Sequence, residues 1–211
     1  MYLDDFMQQH FPNLELYPSL FYKWGIGIRY ELGQEKNDSL ESYLYDAYKR
    51  AKTLFEFLHQ PDDTILIVID VSDKETGKPF ERQLKNFAPY VDKHLLFKIQ
   101  YQQLHSTDLE DDIDPFPVHR FTLRCQTAEL QYAPMLKALC NQDFSIQPSL
   151  SHFVYFININ KKTIFQVYDD RGCDVIARSP DALKEAYTTF NDWILDYDRL
   201  KIDNTFRRIS V

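Results

Sequence analysis

From Asp38 onward, Leu40, Tyr43, Leu44, Ala47, Ala51, Leu54, Phe55 and Leu58 recur at three- and four-residue steps. That spacing gives one apolar stripe and predicts a helix over 38–60. Asp38 or Ser39 can cap its first amides, Glu41 suits the positive end of the helix dipole, and Pro61 stops it. Residues 64–71 then run through Ile, Leu and Val almost without a break, the pattern of a strand buried on both faces and central in its sheet. Earlier in the chain, Trp24 to Tyr30 alternates as a strand does, with Gly25 and Gly27 on one face where something packs close. Weaker strands are expected at Leu95 to Tyr101 and His119 to Cys125. A second helix is expected over Leu130 to Cys140, with Pro134 in or near its first turn.

The carboxy-terminal third has the clearest pattern. Phe153 to Asn158 and Thr163 to Tyr168 read as strands joined by Ile159-Asn-Lys-Lys162. Asp174 to Ala177 adds another after an Asp-Asp-Arg-Gly turn, which makes an antiparallel meander. Ser179 and Pro180 then open a helix over 180–197 whose stripe is Leu183, Ala186, Tyr187, Phe190, Ile194 and Tyr197. No repeat, low-complexity tract or linker interrupts the chain, so one domain over 1–211 is expected. The fold class is α+β, with a mostly antiparallel sheet ending in the three-stranded meander, and strand order left open.

Composition supports a globular chain of 211 residues: 44% are hydrophobic, 27% are charged, and 16 Phe with 14 Tyr provide bulk for a core. The longest clean apolar runs, Ile65 to Ile69 and Phe153 to Ile157, are five residues each, against the ~20 a membrane-spanning helix needs. The first ten residues carry carboxylates where a signal peptide needs positive charge. Three cysteines, Cys125, Cys140 and Cys173, fit neither a zinc ribbon nor a disulfide framework. Reduced thiols in a cytoplasmic protein, with no membrane partner, are the expectation. A formal charge of −8 argues against nucleic-acid binding, which needs Lys and Arg to neutralise phosphates, and favours a basic protein as partner.

Candidate chemistry gathers in two charged segments. In Tyr168-Asp-Asp-Arg-Gly-Cys-Asp174, turn chemistry accounts for Asp170 and for Gly172, which is expected to supply a positive φ. It leaves Arg171, Asp169 and Asp174 as charges flanking the turn. The second segment holds Asp192, Asp196, Asp198 and Arg199 beside Trp193 and Tyr197. A bidentate pair between the segments, with Arg171 bonding Asp196 or Asp198, is the expected link. Asp169, Asp170, Arg171, Asp174, Asp196, Asp198 and Arg199 are therefore the candidate binding residues.

Other motifs fail on their chemistry. Asp108 to Pro117 holds five carboxylates and two prolines, as an exposed loop would, but its sixth position is Ile113 where an EF-hand needs Gly and its twelfth is His119 where it needs Glu. Gly77-Lys78 lacks the upstream glycine of a P-loop, position 72 being Ser, and Gly25-x-Gly27 lacks the third glycine of a dinucleotide fold. The histidines are scattered singly, so no metal site and no cofactor are expected.

Five blocks nevertheless carry a resemblance: Trp24-Gly-Ile-Gly-Ile-Arg-Tyr-Glu-Leu32, Leu139-Cys-Asn-Gln-Asp-Phe144, Val154-Tyr-Phe-Ile-Asn158, Tyr168-Asp-Asp-Arg-Gly-Cys-Asp174 and Asn191-Asp-Trp-Ile-Leu-Asp-Tyr-Asp-Arg199. They resemble the signature blocks of a bacterial family, mainly from Firmicutes, known as a domain of unknown function. The resemblance runs from about Phe21 to Phe206 and brings no activity, cofactor or catalytic residue with it. It implies a bacterial cytosolic setting, in which small acidic proteins often act as immunity or antitoxin partners. The expected function is thus a protein-binding or immunity-type interaction module. The alternative is a hydrolase or transferase that acts on a charged substrate through Asp169, Asp170, Arg171 and Asp174.

Overall fold

The structure, a computed structural model, describes residues 2–34, 39–72, 87–104 and 118–207. Asp38, the Gly77-Lys78 pair and the acidic stretch from Asp108 to Pro117 lie outside the described residues. Seven strands are described: β1 (Gly27–Glu31), β2 (Thr64–Ser72), β3 (Gln100–Leu104), β4 (Val118–Gln126), β5 (Phe153–Asn158), β6 (Thr163–Val167) and β7 (Gly172–Ala177). They form a single sheet in the order β1-β7-β6-β5-β2-β4-β3, and every pairing is antiparallel. The expected meander is β5-β6-β7. The apolar strand β2 sits inside the sheet, between β5 and β4, as burial on both faces requires.

Each face of the sheet is covered. On one side lie α3 (Leu40–Leu58), α5 (Tyr132–Cys140), α6 (Lys184–Thr189) and α7 (Arg199–Arg207). Ala51, Leu54, Phe55, Leu136, Leu139, Ala186, Ile202 and Phe206 from these helices form one core with Ile65, Ile67, Phe156, Phe165, Cys173 and Val175 of the sheet. On the other side lie α1 (Leu3–His10), the segment through Phe11, Leu14 and Leu16, and α2 (Leu20–Lys23). They pack on Leu66, Val68, Tyr155, Ile157, Ile164 and Ile176. Alternation along each strand divides the sheet residues between the two cores.

Several expectations were displaced. Ser39 caps α3 by accepting the Ser42 amide, as expected, but the strand expected at Leu95 to Tyr101 is a short helix α4 (Lys93–Leu96) followed by β3. The single helix expected over 180–197 is broken into a 3-10 turn, α6, and further 3-10 turns at Asn191–Trp193 and Asp196–Asp198. The cause is tertiary: the Leu195 amide donates to Arg29 O on β1, and Ile194 forms an antiparallel bridge with Tyr30. Gly25 has open space around it, whereas a Cβ at Gly27 would press on Ile176 and Val175 of β7. Gly172 has a φ outside the left-handed region. It is glycine because a Cβ there would strike the Tyr168 hydroxyl and lie 2.7 Å from Tyr30 O.

Candidate functional site

β7 organises both charged segments, one at its start and one on its N-terminal-layer face. At its start, the tight approach at Gly172 lets the chain fold back over Asp169 and Asp170, both of which are buried. Asp169 accepts the Arg171 backbone amide and Nε, each at 2.8 Å, and also Arg171 Nη2. Asp170 accepts the Tyr43 hydroxyl of α3 at 2.6 Å, and Gln142, just beyond α5, donates to Tyr168 O. Burial, then the bond to Asp170, raises the Tyr43 phenol above its ordinary value. The turn therefore ties the sheet to the helical layer at the start of α3 and the end of α5.

Asp174 alternates to the opposite face. Its carboxylate accepts the Phe21 amide at 3.1 Å and Arg29 Nε at 3.0 Å. Arg29 Nη1 extends to Asp198 at 3.3 Å and donates to the Tyr22 hydroxyl at 2.8 Å. That hydroxyl in turn donates to Asp198, with both carboxylate oxygens at 3.0 Å. The Arg29 guanidinium also lies between the rings of Tyr22 and Tyr168, 5.0 and 5.1 Å from their centroids. Burial pushes the Asp174 carboxyl up, and the Phe21 amide and Arg29 pull it back only in part. For Arg29, burial would lower the pKa, but Asp174, Tyr168, Tyr22 and Asp198 together outweigh it and raise it.

The arginine joining the two segments is thus Arg29. Arg171, expected in that role, bonds its neighbour Asp169 and is 75% exposed. Arg199 stays within its own segment, with Nε on Asp196 at 3.1 Å and Nη2 on the carbonyls of Asn191 and Ile194 at 3.0 and 3.1 Å. Sequence reasoning missed Arg29 and Tyr22. The available signal was the alternation of Ile28, Arg29 and Tyr30, which sets an arginine on a sheet face that had to be covered. Arg29, Asp174 and Asp198 each belong to a different one of the resembling blocks, whereas Tyr22 lies just before the first.

These residues do not assemble around one hollow. Asp170 reaches into the helical layer and Asp174 into the N-terminal layer. An open groove of about 1020 Å³ lies between α3 and α5 and is lined by Leu40, Tyr45, Tyr48, Lys137 and Ile146 among others. Among the described residues no group of three His, Cys, Asp or Glu side chains is placed to hold a metal ion. Burial pushes the Cys125 and Cys140 thiols up to about 12, far from a reactive thiolate. No helix among the described residues is long and apolar enough to cross a membrane.

Fold and site together define an α+β protein built on one antiparallel sheet, its edge strand pinned to the carboxy-terminal segment by a buried arginine. The chain belongs to the family described as "Domain of unknown function (DUF3885)", whose model matches residues 3–198. It is similar to the uncharacterized protein YnaE of Bacillus subtilis (strain 168), at 29% identity over 210 residues that cover 93% of this chain and 99% of YnaE. No solved structure matches it.

Proposed function

We propose that the chain is a cytoplasmic protein-binding module of the immunity type, engaging a basic protein partner. The observation that supports this reading is that every buried carboxylate of the two charged segments is already answered from within the fold. Asp169 has Arg171, Asp170 has Tyr43, and Asp174 and Asp198 share Arg29. Groups so paired hold geometry more readily than they act on a substrate. The formal charge of −8 steers a basic protein toward the surface and makes association fall with salt.

The rival reading, a hydrolase or transferase acting through Asp169, Asp170, Arg171 and Asp174, needs those side chains on one substrate. Asp170 and Asp174 instead point to opposite layers, toward Tyr43 and Phe21 respectively. Affinity purification of the tagged protein from the organism that encodes it, at low and high salt, tests the proposal. One stoichiometric basic protein, bound at low salt and released at high salt, is the expected outcome. Recovery of background proteins alone at low salt would overturn it.

A further inference from the structure

The sheet face beneath α1 and α2 is apolar along Leu66, Val68, Ile157, Ile164 and Ile176, and one polar row crosses it. In sheet order the row runs Arg120 on β4, Asp70 on β2, Tyr155 on β5, Gln166 on β6, Asp174 on β7 and Arg29 on β1. We propose that the middle of this row is a binding site for ordered water, held by the Tyr155 hydroxyl and the Gln166 carboxamide. The assignment is independent of the binding-module reading above.

The two ends of the row are satisfied. Arg120 bonds Asp70 through Nε and Nη2, at 2.8 and 2.6 Å, and Nη2 also donates to Leu16 O at 3.1 Å. Asp174 holds Arg29 and the Phe21 amide. The segment from Leu16 to Phe21 is therefore tied to this face at both ends, and by strand order Tyr155 and Gln166 lie between the ties. Tyr155 belongs to this core, and Gln166 shares the face of Ile164, two residues before it. Both side chains are fully buried. Neither the Tyr155 hydroxyl nor either end of the Gln166 amide has a hydrogen-bond partner among the described residues. Burial raises the Tyr155 phenol far above its ordinary value, and Asp70, Arg120, Tyr17 and Gln166 are all near enough to act on it. A bond between Tyr155 and Gln166 would answer one end of the amide and leave the other unmet.

Buried polar groups are almost always paired, and an internal water serves where the chain supplies no partner. Such a water makes about three hydrogen bonds. The amide oxygen, the amide N–H and the phenol hydroxyl offer that number, with donors and acceptors both present. Charge selects a neutral occupant: the four charged residues of the row are already joined as Asp70–Arg120 and Asp174–Arg29, and the two at its centre carry none. Complete burial selects a small one. Water meets both conditions, and it makes the row a continuous hydrogen-bonded belt beneath the Leu16–Phe21 segment. It also accounts for a glutamine on a stretch of β6 whose other residue on this face is Ile164.

A crystal structure that resolves ordered water tests the site, together with thermal melts of Tyr155→Phe and Gln166→Met. The expected density is a water within hydrogen-bond distance of Gln166 and of Tyr155 Oη, weakened or lost in Tyr155→Phe. Each variant takes a partner from the water while keeping most of the side chain's bulk, so the melting midpoint should fall by about 2–4 °C. With no water there, each would instead remove polar atoms that are buried unmet, and the midpoint would hold or rise. A Tyr155→Phe midpoint that holds or rises, density in which protein atoms alone satisfy both side chains, or a larger molecule in that place overturns the site. Tyr155→Phe deletes a single oxygen and carries the test alone if Gln166→Met does not fold.

Discussion

Two arginines, each bonded to carboxylates through Nε and a terminal nitrogen, stand close to the β1-β7 pairing, Arg29 on β1 and Arg171 in the turn before β7, and they do different work. Arg29 has a side chain 14% exposed, and its partners Asp174 and Asp198 are buried. It joins segments 145 and 169 residues away. Arg171 bonds Asp169, two residues away, and stands mostly in solvent. The contrast shows that pairing chemistry does not determine what a pair is worth. Burial and the sequence distance closed do, because only a buried pair leaves a desolvated charge behind when it is broken.

The strongest way to break the contrast is Arg29→Met. It keeps the stem's bulk but strands Asp174 and Asp198 together, and a loss of about 3–5 kcal/mol is expected. Urea unfolding should report it as a lower midpoint with an unchanged slope. Asp174→Asn should cost less, since an amide oxygen can still accept the Phe21 amide. If Arg29→Met unfolds like wild type, the cluster is ornamental.

A buried group with no ionic partner sharpens the point. The buried His59, just after α3, donates Nδ1–H to Phe55 O at 2.8 Å and stacks on the Phe55 ring, 4.1 Å between centroids. Its Nε2 has no hydrogen-bond partner among the described residues. Burial lowers its pKa to about 4 from the ordinary 6.5. Between those values the unfolded chain binds the proton more tightly than the folded one, so stability rises with pH across that window and is lost as pH falls through it. The span corresponds to about 3 kcal/mol. Subtracting the stability profile of His59→Phe from that of wild type should isolate this slope; parallel profiles would refute the buried neutral imidazole.

The same contrast explains what the sequence could and could not reveal. The helix α3, the strand β2 and the β5-β6-β7 meander depend on local periodicity and turn residues, and each was readable. The broken helix after Pro180 was not. Its apolar stripe is helical, but Arg29 O takes the Leu195 amide and Arg199 takes the Asn191 and Ile194 carbonyls. Nothing within that window signals partners so far away. The site divides likewise. That an arginine would bond a carboxylate of the carboxy-terminal segment followed from the residue types, although the expected arginine was Arg171 and the expected carboxylate Asp196 or Asp198. Which arginine required the pairing of β1 with β7, where Arg29 lies opposite Asp174. The layer under α1 went unread because its first helix has only Leu3 and Phe6 buried, too short a stripe to identify alone.

The smallest effect is expected where sequence reading placed the most weight. Arg171→Ala removes the side chain from Asp169, yet the Arg171 backbone amide still donates to that carboxylate at 2.8 Å, and the backbone is untouched by the substitution. The Asp169 bonds raise the Arg171 pKa, but a guanidinium this exposed is solvated whether or not it is paired, and salt screens what attraction remains. The loss should stay below about 1 kcal/mol and shrink as salt is added, whereas the Arg29→Met loss should hardly respond to salt. Urea titrations of both variants at two ionic strengths measure this directly. If Arg171→Ala matched Arg29→Met in size and in salt response, the distinction drawn between a fold-closing arginine and a turn-dressing one would be wrong, and the Asp169–Arg171 pair would regain its place as the centre of the site.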